Sequence, residues 1–229
     1  MSMPYKPLKT PVLIINFKTY KESTGKNALK LALLAEKASK KTGKQVMIAV
    51  QPTDLRMVAG KVSIPVLAQH ADPEPQGAHT GSVSPEALKD AGAKGTLLNH
   101  SEKKLSDNVL SEAIRRCKEL GLVTVCCATN NTKAAKVASY HPHMVAVEPP
   151  ELIGGNVSVS QASPEVVEKS VKSVLRVSRI PVLCGAGIHT TKDVQDSVRL
   201  GAKGVLVASG VVKAKNPYKE MIAMLEGLV

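Results

Sequence analysis

Eight short runs of Val, Ile, Leu and small residues punctuate the chain, at 12–16 (VLIIN), 45–50 (QVMIAV), 64–70 (IPVLAQH), 95–99 (GTLLN), 122–128 (LVTVCCA), 143–147 (HMVAV), 180–184 (IPVLC) and 204–208 (GVLVA). Their hydrophobicity is continuous rather than alternating, which is what parallel strands covered on both faces require. Between them lie stretches with apolar residues at helical spacing, near 25–42, 53–60, 84–91, 106–120, 131–139, 164–177, 190–199 and 217–228. Strand and helix therefore alternate throughout.

Local chemistry supports these boundaries. Asp54 lies in a first turn, Ser84-Pro85-Glu86 and Ser163-Pro164-Glu165 each supply a cap, an N1 proline and an early acid, and Thr190 to Asp193 reads as a further start. All place groups where orphan helical N–H donors need them. Gly43, Gly92, Gly121 and Gly201 stand where a left-handed residue would end a helix.

Eight strand–helix units with right-handed crossovers close into an α/β fold, a single (β/α)₈ barrel of eight parallel strands spanning 1–229. The alternative is a doubly wound open sheet. That fold would want a Gly-x-Gly-x-x-Gly turn after the first strand, and Asn16-Phe17-Lys18-Thr19-Tyr20 is nothing like it. The longest irregular stretch, 71–83 (ADPEPQGAHTGSV), has the length of a functional loop or an interface arm.

Charge changes the picture only slightly. Thirty-one Lys and Arg against 19 Asp and Glu give +12, which invites a nucleic-acid partner. Aromatic residues make up 2%, however, with no Trp and one Phe, so base-stacking platforms are nearly absent. Lys26, Lys30, Lys37, Lys40, Lys41 and Lys44 cluster opposite Ala28, Leu31, Ala32, Ala35 and Ala38, the pattern of a solvated helix face. A phosphate-backbone stripe is the sharper alternative, and no nucleic-acid partner is expected. No apolar run approaches the roughly 18 to 20 residues of a membrane span, and the first residues lack the apolar core of a signal peptide. A cytoplasmic protein without membrane partners is the expectation. Cys117, Cys126, Cys127 and Cys184 show no metal or redox spacing and read as small buried hydrophobes; Cys184, beside a Gly-rich turn, is the alternative reactive thiol.

In such a barrel chemistry sits where strands end. After the first run come Asn16 and Lys18, an amide and an ammonium able to orient an anion and stabilise oxyanion charge. After the fourth come His100, a candidate proton shuttle or electrophile, and Glu102, its candidate hydrogen-bonding neighbour. After the sixth comes Glu148, a candidate general base, followed by the stiff Pro149-Pro150 and the permissive Gly154-Gly155 of a candidate lid. After the seventh and eighth come Gly185-Ala186-Gly187 and Ala208-Ser209-Gly210, small residues whose N–H groups can approach a phosphate, with a short helix starting near Ser209. Each of these residues, taken singly, also fits a solvated strand end or a turn.

Asn16-Phe17-Lys18, Gly77 to Gly81 (GAHTG), His100-Ser101-Glu102, Glu148 to Gly154 (EPPELIG), Cys184 to Ile188 (CGAGI) and Gly204 to Ser209 (GVLVAS) run in one order over nearly the whole chain. Together they resemble the triosephosphate isomerase family, in the form of its shorter archaeal members. The resemblance implies interconversion of dihydroxyacetone phosphate and D-glyceraldehyde 3-phosphate with no metal and no cofactor. It makes Glu148 the base, His100 a neutral electrophile and shuttle, and Lys18 with Asn16 the enediolate partners. Phosphate would rest on N–H groups around Gly154, Gly187, Ala208 and Ser209. The 71–83 loop resembles an arm that docks into a neighbouring subunit near Thr80, implying a homo-oligomer, dimer or tetramer. Two departures stand out: Gly154-Gly155-Asn156 where the lid commonly ends in Gly-Thr-Gly, and Cys184 to Gly187 where larger members have Tyr-Gly-Gly-Ser. A metal-dependent epimerase, a Schiff-base aldolase and a silent nucleic-acid-binding barrel remain the competing readings of the residues alone.

Overall fold

The computed structural model describes residues 9–149 and 164–229. Its strands are β1 (Val12–Asn16), β2 (Gln45–Val50), β3 (Val66–Ala68), β4 (Gly95–Leu98), β5 (Val123–Ala128), β6 (Met144–Val147), β7 (Val182–Cys184) and β8 (Gly204–Val207). All pair in parallel, in sequence order, and β8 pairs back to β1, so the sheet closes into the expected barrel rather than remaining open. Among the described residues the helices are α1 (Lys26–Thr42), α2 (Pro52–Ala59), α3 (Pro85–Asp90), α4 (Asp107–Glu119), α5 (Asn131–Ala138), α6 (Pro164–Val177), α7 (Thr191–Arg199), α8 (Ser209–Val212) and α9 (Pro217–Gly227). A 3₁₀ turn at Lys21–Ser23 escaped the sequence reading.

The apolar runs are continuous because each strand serves two cores. Val12, Ile14, Met47, Ala49, Leu67, Leu97, Val125, Cys127, Ala146, Leu183 and Leu206 meet one another inside the barrel. Their strand neighbours, such as Leu13, Ile15, Ile48, Cys126, Val145 and Val205, pack with helix residues outside it. Full burial of each large aliphatic side chain stabilises the fold by about 1.5–3 kcal/mol. On α1 the buried residues are Ala28, Leu31, Ala32, Ala35 and Ala38, the face expected opposite the lysines.

Caps and stops fall where sequence placed them among the described residues; Ser163 lies outside these. Ser84 accepts from the Ala87 N–H, and Thr190 and Asp193 form a reciprocal capping box. Gly43 ends α1 at φ 69°. Gly204 meets a harder constraint at the closure of the barrel, where a Cβ would lie 2.1 Å from the Val12 carbonyl oxygen. The two strands can approach there only without a side chain.

Candidate active site

Period-two alternation carries the interior face of β6 from Met144 and Ala146 to Glu148. The ladder continues to that residue: the Glu148 N–H donates to the Ala128 carbonyl at 2.8 Å, and the Gly185 N–H donates to Val147 at 2.9 Å. Glu148 is therefore set with the precision of a strand and is only 3% exposed. Burial pushes its carboxyl up to about 7, against smaller opposing effects from the neighbouring Cys127 thiol and the Lys18 ammonium. Among the described residues its Oε2 has no hydrogen-bond partner.

His100 reaches the same cavity from β4 through a turn at Asn99, which adopts φ 57°. The Asn99 side chain braces this turn, donating to the Cys127 carbonyl and accepting from the Leu105 N–H, both at 2.9 Å. His100 Nδ1 accepts the backbone N–H of Glu102 at 3.2 Å. An acceptor at Nδ1 leaves the neutral ring's proton on Nε2. That atom lies 3.6 Å from Glu148 Oε1. Burial and the nearby Lys18 charge lower the His100 pKa, so the ring is held neutral.

Asn16 closes β1 on the interior parity, and its Oδ1 accepts the Lys18 N–H at 3.0 Å. Lys18 takes φ 47°, a left-handed conformation that a lysine rarely adopts and that costs on the order of 1–3 kcal/mol. Gln69 at the end of β3 holds the turn, donating to the carbonyls of Lys18 and Ala49 at 3.0 and 3.2 Å. The Lys18 ammonium donates to Glu102 Oε1 at 2.8 Å. Glu102 thus supports His100 through its backbone; its carboxylate stands 3.6 Å from Nδ1 and bonds Lys18 instead.

One cavity collects Asn16, Lys18, His100 and Glu148 with Gly187, Ala208 and Ser209. The β7 and β8 turns interlock there: a Cβ on Gly210 would lie 3.1 Å from the Ile188 carbonyl oxygen and 3.2 Å from His189 Nδ1. Small residues let both turns bring backbone N–H groups to one spot. Gly154 and the rest of the candidate lid lie outside the described residues. Thr80 sits exposed on the 71–83 loop, away from this cavity. The loop's neck is closed by Asp72 N–H to the Val83 carbonyl at 3.0 Å and Val83 N–H to Asp72 Oδ2 at 2.7 Å.

All four cysteines are buried, the reading the sequence favoured. Cys184 is not a reactive thiol: it is fully buried, which pushes it up to about 12. Cys127 lies on the interior parity of β5, as Glu148 continues that of β6, and burial pushes its thiol up. Sequence reasoning also passed over Gln69 and the second role of Gly185, where a Cβ would lie 2.6 Å from Glu148 Cγ. Among the described residues, no three His, Cys, Asp or Glu side chains are grouped so as to hold a metal ion. None of the described helices is long and apolar enough to cross a membrane.

A family profile described as triosephosphate isomerase matches residues 11–225. The chain is 49% identical over 212 residues to a triosephosphate isomerase of Methanothermus fervidus, covering 92% of this chain and 96% of the relative. To the Methanocaldococcus jannaschii triosephosphate isomerase it is 50% identical over 206 residues, covering 90% and 94%. The crystal structure of a triosephosphate isomerase from Bartonella henselae superposes with a TM-score of 0.74 at 17% identity, over 96% of this chain and 98% of that one, a likeness of fold.

Proposed function

This chain belongs to the triosephosphate isomerase family and is an isomerase that interconverts dihydroxyacetone phosphate and D-glyceraldehyde 3-phosphate; from that premise we propose that Glu148, His100 and Lys18 carry the reaction. The observation that supports this assignment is the convergence of a buried carboxyl, a neutral imidazole and an ammonium on one cavity whose far wall is the Gly187 and Ser209 turns.

The chemistry follows from the charges. A carboxyl near 7 is half ionised at neutral pH yet basic enough to take a proton from the carbon beside a carbonyl. Glu148 removes that proton, and the electron pair of the broken C–H bond moves toward the carbonyl oxygen. His100 faces that oxygen with Nε2–H, and the Lys18 ammonium and the Asn16 amide offset the growing negative charge. His100 gives its Nε2 proton to that oxygen and takes one from the neighbouring hydroxyl, and the carboxylic acid returns its proton to the adjacent carbon. The old carbonyl thus becomes a hydroxyl, the old hydroxyl a carbonyl, and both side chains regain their starting protonation. The backbone N–H groups of Gly187, Ala208 and Ser209 bind the phosphate.

The protein further reads as cytoplasmic and homo-oligomeric, a dimer or tetramer assembled through the 71–83 arm. Turnover of D-glyceraldehyde 3-phosphate by the wild type, lost in Glu148→Gln with phosphate binding retained, is the deciding experiment. Full activity in Glu148→Gln would remove that residue from the role of base.

A further inference from the structure

Among the described residues, two neighbouring cavities at the mouth of the barrel share part of their lining. One, of about 50 Å³, holds the base and the phosphate turns. The other, of about 430 Å³, is lined by Gln69, His70, Glu102 and Lys103. Four residues line both: Asn16, Lys18, His100 and Tyr20. The first three already have roles in the reaction. Tyr20 has none.

The ring of Tyr20 is held from an unexpected side. The ammonium of Lys213 lies 4.3 Å from its centroid, within cation–π range. Lys213 caps α8, and its N–H donates to the Ser209 carbonyl at 3.0 Å, so its backbone is anchored to the phosphate turn itself. Among the described residues Lys213 forms no ion pair with a carboxylate. Tyr20 is anchored at the other end: its carbonyl accepts the Ser23 N–H at 3.0 Å and the Thr24 hydroxyl at 2.8 Å.

The contact therefore joins the β1 and β8 turns that line this cavity. On one side is the β1 turn, where Lys18 sits in a strained left-handed conformation braced by the Asn16 and Gln69 side chains. On the other is the β8 turn with Ser209. We propose that Tyr20 and Lys213 form a positioning strap, tying the Lys18 turn to the phosphate turn and fixing the distance between the two ends of the substrate.

The proposal rests on the isomerase reading, and it separates one-ended from two-ended ligands. Inorganic phosphate needs only the β7 and β8 turns. 2-Phosphoglycolate, whose carboxylate is separated from its phosphate by one methylene group, needs both ends at the right spacing.

The experiment measures calorimetric binding of both ligands, and kcat and KM for D-glyceraldehyde 3-phosphate, in Lys213→Met, Tyr20→Leu and the double variant. Each single change is expected to weaken 2-phosphoglycolate and lower kcat/KM by about threefold to fivefold, the range of an exposed cation–π contact. Inorganic phosphate affinity stays unchanged. The double variant is no worse than the weaker single one, and Tyr20→Phe, which keeps the ring, behaves as wild type.

Equal weakening of inorganic phosphate would make Lys213 a direct phosphate ligand and overturn the strap. So would additive losses, or a lowered melting temperature with unaltered binding. A wild type without turnover would sink the isomerase reading instead, while the two binding constants would still report on the strap.

Discussion

Nε2 of His100 stands 3.6 Å from Oε1 of Glu148, with the two side chains only 9% and 4% exposed. That separation is too long for a hydrogen bond and short enough for both atoms to reach adjacent atoms of one ligand. Burial disfavours the charged form of each group, so the ring stays neutral while the carboxyl titrates near neutrality. As the proposed base, Glu148 works ionised. We therefore expect kcat/KM for D-glyceraldehyde 3-phosphate to rise with pH along one limb centred near 7, once the substrate's own phosphate ionisation is divided out. A limb centred at the ordinary glutamate value would show that the burial seen here does not govern the base.

The same burial sets a cost in stability. The folded carboxyl titrates near 7 against an ordinary 4.5, so between those pH values the folded protein binds more protons than the unfolded chain. Stability due to this group is complete below the lower value, falls as pH rises toward the upper one and is flat beyond it. The difference amounts to about 3 kcal/mol. Glu148→Gln, neutral at every pH, should unfold at higher urea than wild type at pH 8 and lose that advantage near pH 4.5. An advantage that does not vary with pH would point to packing rather than ionisation.

Gly185 marks how tightly the base is held. A Cβ there would lie 2.6 Å from Glu148 Cγ and 3.2 Å from Oε1, so Gly185→Ala must push the carboxyl aside. Gly185 is not among the positive-φ glycines, and alanine suits its backbone. The variant should fold with a near-native melting temperature while kcat falls about 100-fold, the scale of a displacement of an ångström at a reacting group. Wild-type kcat would mean that the base reaches its substrate from more than one position.

The strands were legible because each is buried on both faces, and the sites at their ends followed from the barrel. Edges were less legible. The 64–70 run forms a strand only over Val66–Ala68, since Pro65 has no N–H to give the ladder and Gln69 turns its amide onto Lys18 and Ala49. The 180–184 run likewise pairs only over Val182–Cys184, behind Pro181. Gln69 itself was within reach, as a polar residue closing an apolar run. The nearness of Cys127 to Glu148 was not: adjacent cysteines look alike in sequence, and only the register of β5 against β6 sends one inward and the other toward the helices. The contact of Tyr20 with Lys213 joins the first and last strand ends, a separation no local pattern encodes.

Lys18 and Glu102 are paired at 2.8 Å but act on Glu148 in opposite directions, the ammonium favouring its carboxylate and the acid opposing it. Lys18 is mostly buried in the cavity, whereas Glu102 is 59% exposed, so the pair is a rim contact that a bound anion can displace. Lys18→Met should lower kcat by about 10²–10³-fold, as losing one donor to a developing oxyanion does. It should also move the ascending limb of the pH profile upward. Glu102→Gln should move that limb downward and leave kcat within about threefold, because His100 is oriented by the Glu102 backbone N–H at 3.2 Å, which the substitution keeps. Opposite shifts from the two variants, read from kcat/KM across pH, are the signature; shifts in the same direction would place the control of Glu148 elsewhere in the cavity.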